Sequence, residues 1–114
     1  MRKVFLLASL ISLPIFTGNA FATGVNTAAS PVLAGSTVFQ TTFGSGDVLF
    51  KLTQGMPSGC TGFWLKALDA GFKSNLAALL TSIATGTSIA VSADDSTIWP
   101  GSTNLNCLVT GLTM

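Results

Sequence analysis

Asp94-Asp95-Ser96, followed three residues later by Trp99, is the densest grouping of versatile side chains in this 114-residue chain. Carboxylates and a hydroxyl accept hydrogen bonds from polyol hydroxyls, and an indole face packs against the C–H surface of a sugar ring. Asp94, Asp95, Ser96 and Trp99 are therefore the candidate ligand-binding set. The plainer reading is a solvated turn in which Asp and Ser satisfy their own backbone. The two carboxylates fall short of a calcium site, which takes roughly six or more oxygen ligands, and no EF-hand spacing surrounds them. Trp64, between Phe63 and Leu65, reads as core, whereas Trp99 beside Pro100 reads as the more exposed indole.

Catalysis has little to work with. The chain contains no His, and all four of its acidic residues are Asp. A Ser or Thr nucleophile needs an activating base, and no S-x-x-K spacing supplies a lysine in its place. Glycoside hydrolysis would require two of the four Asp to meet across the fold, and nothing in their spacing argues for that. No catalytic residue, metal ligand set or cofactor is expected.

Arg2 and Lys3 precede a mostly apolar run over residues 4–16, and Ala20-Phe21-Ala22 follows with a small-residue pattern. A basic start, a short apolar run and an A-x-A end are the parts of a secretory signal, expected over residues 1–22. The run is too short for a membrane span, which needs about 20 apolar residues. Removing 22 of the 114 residues leaves 92, carrying Lys51, Lys66 and Lys73 against Asp47, Asp69, Asp94 and Asp95, a side-chain charge of −1. Three scattered lysines cannot displace the counterions of a nucleic acid, so that partner class is excluded.

Cys60 and Cys107 are the only cysteines. In an exported domain of this size two thiols are expected to pair, and the C-x-x-C spacing of a redox couple is absent. The bridge would close the segment from 60 to 107 and contribute roughly 4 kcal/mol in the chain-entropy model. Export and a disulfide together point to a periplasmic or secreted protein.

The elements that must position these residues follow from pattern. Residues 23–35, rich in Thr, Gly, Asn, Ala, Ser and Pro, read as a flexible N-terminal arm, and the domain is expected over 36–114. Strands are predicted over 36–43 and 48–53, joined at Gly44-Ser45-Gly46-Asp47, and a short third strand over 63–66. Phe72, Leu76, Leu79, Leu80 and Ile83 recur at helical spacing, with Asp69 as the expected N-cap and Gly86 as the stop. A fourth strand over 87–92, a polar loop over 93–103 and a fifth strand over 104–112 complete the chain. The order β-β-β-α-β-β is that of the OB-fold, a five-stranded Greek-key barrel. An open α+β sheet with one packed helix is the alternative.

On several residues the chain also resembles a family. Met56-Pro57-Ser58-Gly59-Cys60 with Gly62-Phe63-Trp64-Leu65, the helix over 72–83, and Asp94-Asp95-Ser96 with Trp99-Pro100-Gly101 before Cys107 resemble small exported bacterial OB-fold proteins. These are similar to the B subunits of pentameric one-A, five-B toxins, of the subtilase cytotoxin and pertussis toxin kind. The resemblance covers roughly 36–112 through element order and cysteine placement. It implies a binding module for a glycan or cell-surface receptor, a homo-pentamer, and an A-type partner subunit. The alternative function is a monomeric periplasmic protein that binds or inhibits another protein, or a structural role.

Overall fold

Strand Gly62–Leu65 is buried along its whole length, and the fold is organised around it. A computed structural model describes residues 24–114; the signal expected over 1–22 lies outside the described residues. The elements are β1 (Gly24–Asn26), β2 (Val38–Phe39), β3 (Val48–Phe50), β4 (Gly62–Leu65), α1 (Phe72–Thr85), β5 (Ala90–Ile98) and β6 (Asn106–Thr113). Their ladders form a six-stranded open sheet in the order β1-β5-β6-β4-β3-β2. The protein is thus mainly β with one helix, and the open α+β alternative fits this ladder order.

β4 explains its own sequence. It pairs antiparallel with β3 and parallel with β6, so neither edge faces water. A strand buried on both faces has no need of polar alternation, and Phe63-Trp64-Leu65 is apolar throughout. Phe63 and Leu65 join the main core with Phe50, Leu79, Ile89, Val91 and Val109. Trp64 is buried as well, and its Nε1 donates to the Thr97 carbonyl at 3.3 Å.

A parallel pair needs a crossover, and α1 lies within it. Phe72, Leu76, Leu79 and Ile83 turn toward the core, with Leu79 fully buried. Leu80, counted on the same face by spacing, is exposed instead, because it sits one step beyond the stripe. The helix ends at Gly86, whose left-handed backbone donates to the Ser82 carbonyl at 2.8 Å. Asp69 is not the N-cap. Gly71 occupies that position without a side-chain cap, and Asp69 belongs to the preceding turn, where its carbonyl accepts from Phe72 N.

The disulfide is present: Cys60 and Cys107 are bonded, with Cα atoms 5.7 Å apart and a sequence separation of 47. Cys107 stands opposite Phe63 in the parallel register, so the bridge reinforces the β4–β6 pairing from its approach side.

The expected flexible arm over 23–35 is a structural strap wherever the chain is described. Gly24–Asn26 pairs with β5, and Ser30 exchanges backbone bonds with Ile89 at 3.0 and 2.9 Å. Farther along, Leu33 N donates to the Lys51 carbonyl and Thr53 N to the Pro31 carbonyl. Ser30 and Val32 are buried, and Val32 N donates to Ser82 Oγ at 3.1 Å. Main-chain bonds hold this segment, which is why its small, aperiodic side chains gave no strand signal.

Two other spans differ from pattern. Strand character over 36–43 shrinks to β2, since Ala34–Ser36 and Phe43–Ser45 are 3-10 turns. The polar loop expected from 93 begins later, because β5 runs to Ile98.

Two outcomes test this packing. Replacing both cysteines by Ala should lower unfolding free energy by roughly 4 kcal/mol in urea titration. Leu79→Ala should cost about 2–5 kcal/mol in the same titration, whereas Leu80→Ala should stay under about 1 kcal/mol.

Candidate functional site

The four residues singled out by chemistry separate into two places. Asp94 sits in β5 at a break in the ladder: it faces Leu108, while Ile98 faces Cys107, so 95–97 are looped out against no residues of β6. The cause is local. Asp94 Oδ1 accepts from Ser96 N at 2.9 Å and from Ser96 Oγ at 2.6 Å, and its Oδ2 accepts from Thr97 Oγ1 at 2.9 Å. A carboxylate that gathers three donors from Ser96 and Thr97 stabilises an outward bulge. Asp95 and Ser96 are exposed on that bulge, and Asp95 stands beside Gly59 in the loop before β4. The arrangement is the turn chemistry that Asp and Ser provide for themselves.

Trp99 is elsewhere and is not an open platform. It is 6% exposed, and its Nε1 donates to Asp47 Oδ2 at 3.1 Å. The Phe43 ring meets it edge-on at a centroid distance of 4.9 Å. On another side the chain returns so closely that a Cβ on Gly101 would lie 2.2 Å from the indole. Only a residue without a side chain fits there.

Trp99 nevertheless contributes to the wall of a cleft of about 230 Å³. Its lining comes from two parts of the chain, the β2–β3 region with Ser36, Val38, Gln40, Leu49, Phe50 and Lys51 as one wall, and the segment after β5 with Trp99, Ser102, Asn104 and Asn106 as the other. The elements explain the composition. β2 and β3 form a hairpin with Val38 opposite Leu49, and the segment after β5 folds back across it. Asn106 N bonds to the Asn104 carbonyl, and Trp99 N to the Asn106 carbonyl, so this segment is tied across its own base.

Chemically, the lining offers amides from Gln40, Asn104 and Asn106, hydroxyls from Ser36 and Ser102, and one cation, Lys51. Amides and hydroxyls both donate and accept, which suits a ligand rich in hydroxyls. No carboxylate side chain among the described residues lines the cleft, and Lys51 gives it a positive group. Among the described residues, no group of three or more metal-ligating side chains is assembled.

Pattern reading missed the cleft because its polar residues come from three separate stretches, none with recognisable spacing. It also placed Asp47 only within a turn. The one available signal was Asp directly after the Gly-rich turn and before an apolar strand, where a carboxylate is easily drawn inward by neighbouring N–H groups.

Both indoles being buried, the folded protein should show blue-shifted tryptophan emission with weak acrylamide quenching, and both should change on unfolding. Asp94→Ala should leave both indoles buried and the blue shift in place, since their N–H groups donate elsewhere, Trp64 to the Thr97 carbonyl and Trp99 to Asp47. No family model, no curated protein and no solved structure matches this chain.

Proposed function

We propose that this protein is an exported, non-catalytic binding module whose cleft between the β2–β3 hairpin and residues 99–106 receives a glycan, free or on a cell-surface receptor. The observation that carries this reading is the lining: three amides, two hydroxyls and a lysine together with the apolar Val38, Leu49 and Phe50. Such a lining exchanges hydrogen bonds with a polyol, while Val38 and Leu49 meet its C–H surface. The ligand site thereby moves from Asp94, Asp95 and Ser96 to the cleft, with Trp99 as the shared member.

The reading extends to architecture and assembly. Isolated bridges join Ser30 to Ile89 and Val32 to Leu52, so the N-terminal strap reaches both β5 and the end of β3. That double attachment supports a sheet closing on itself as an OB-type barrel. With it goes a ring of five copies and an A-type partner subunit, as in the toxins the sequence resembles. Export is supported by the disulfide, which persists in oxidising compartments, and by the basic and apolar pattern of residues 1–22. Among the described residues, no helix is long and apolar enough to cross a membrane.

A second reading, a monomer that binds another protein, is favoured by a different observation. β2 is an edge strand, with Val38 and Phe39 exposed, Phe39 at 53%. Edge strands present unpaired backbone groups on which an extended partner segment can align.

Light scattering after size exclusion of the oxidised chain, at several concentrations, separates these readings. A pentamer that binds on an oligosaccharide array, with Asn104→Ala weakening binding by about tenfold through one lost hydrogen bond, is the expected result. A monomer that binds no sugar, but captures a periplasmic protein through β2, would replace it.

A further inference from the structure

Asp47 is a buried carboxylate, 3% exposed, that the glycan reading does not itself use. It stands at the meeting point of three stretches distant in sequence. Its Oδ1 accepts from Ala67 N at 2.9 Å, just beyond β4, and its Oδ2 accepts from Trp99 Nε1, just beyond β5. Its own backbone closes the β2–β3 turn, where its carbonyl accepts from Gln40 N at 2.9 Å and its amide donates to the Phe43 carbonyl at 3.3 Å. Gly44 packs so tightly on the carboxylate that a Cβ there would lie 1.9 Å from Oδ2. Phe43 of the same turn supplies the edge-on contact to Trp99.

We infer that Asp47 is a positioning residue for the cleft: its carboxylate latches Trp99, and with it residues 99–106, against the β2–β3 turn, which holds the two walls at their working separation. Both walls depend on it. Gln40 lies on one wall and is bonded to the Asp47 backbone; Trp99 lies on the other and is bonded to its side chain. Trp99 N also donates to the Asn106 carbonyl within the same segment, and the far end of that segment is held at the approach to β4, where the Leu105 carbonyl accepts from Thr61 N and the Leu105 amide donates to Thr61 Oγ1, so Asp47 is the tie at the Trp99 end. A hydrogen bond to an ionised acceptor is stronger than a neutral one, and losing one buried partner leaves the other unsatisfied. The carboxylate is therefore the one polar side-chain tie between the walls among the described residues.

The inference rests on the cleft reading for its use, but the latch is measurable without a ligand. Asp47→Asn exchanges one acceptor oxygen for a donor, and Trp99→Phe removes the indole N–H while keeping a ring. In hydrogen exchange of the intact oxidised protein, both should accelerate amides over 99–106 by about tenfold, matching one lost bond. Protection of α1 and of β6 beyond Cys107 should stay as in the parent chain. Trp64→Phe, which loses only the bond to Thr97, should not reproduce the pattern. Unchanged exchange over 99–106 in both variants overturns the latch, and so does an equal acceleration throughout the core, which would make Asp47 a general stability residue. Binding is then read on an array of neutral and acidic oligosaccharides. Where the parent chain binds, Asp47→Asn should weaken binding about tenfold with Asn104 still in place; unaltered binding overturns the positioning role. Where the parent chain binds nothing, the glycan reading fails, and the exchange data alone decide the latch.

Discussion

The parallel pairing of β4 with β6 is the constraint on which the rest of this small structure depends. Parallel neighbours cannot be joined by a tight turn, so the chain must leave β4, cross over, and return. α1 occupies that crossover, and its Leu79 stripe closes the core over Phe63 and Leu65. β5 then has to enter antiparallel beside β6 and outside it, which leaves its far edge free for the N-terminal strap. The Cys60–Cys107 bond fixes the start of that same parallel pair. In the unfolded chain the crossover is a long loop whose closure costs entropy, and a cross-link at its ends removes part of that cost in advance.

A second feature follows from the scarcity of charge. With few ion pairs available, distant segments are joined by single buried polar side chains, each fully employed. Ser82 Oγ accepts from Val32 N and donates to the Thr87 carbonyl at 2.6 Å, tying helix to strap. Ser30 Oγ meets Thr53 Oγ1 at 2.9 Å and accepts from Gln54 N, tying strap to the end of β3. Asp47 does the same between the turn, the exit of β4 and the exit of β5. Buried polar groups are costly when unpaired and directional when paired, so three such ties fix relative placement that apolar packing alone leaves loose.

What was legible in the sequence divides along the same line. Helix α1, the apolar β4 and the disulfide announce themselves, because each rests on periodicity, on burial at both faces or on a count of two. The strap over 24–33 did not, since it is held by main-chain bonds and by small polar side chains whose partners are distant in sequence, neither of which leaves a periodic mark. Trp99 beside Pro100 looked like a surface indole because exposure in a loop is the common case. Its burial depends on Asp47, far away in sequence, and on Gly101 lacking a side chain. The same holds for the cleft, whose walls meet only after β2, β3 and the segment after β5 have been placed. Asp94, by contrast, behaves toward Ser96 as Asp-x-Ser sequences ordinarily do, and its bonds to Ser96 are ones that residue types foretell.

The size and charge of the cleft bear on how a binding module of this kind would have to operate. A cavity of about 230 Å³ falls below the roughly 300–1,000 Å³ of sites that enclose a drug-sized ligand. It can hold about one sugar ring, through hydrogen bonds that water competes for, so a single site on the proposed reading would bind weakly. A near-neutral surface adds no electrostatic steering to raise the encounter rate. Strong attachment to a glycan-covered surface would then come from several equivalent sites acting together, where each later contact is made at a high effective concentration. This gives the proposed ring a physical purpose independent of any resemblance: rigid walls, held by a buried carboxylate, present identical weak sites in a fixed geometry. The protein-binding alternative has no such requirement, since one extended strand along β2 gains its hydrogen bonds in series on a single copy.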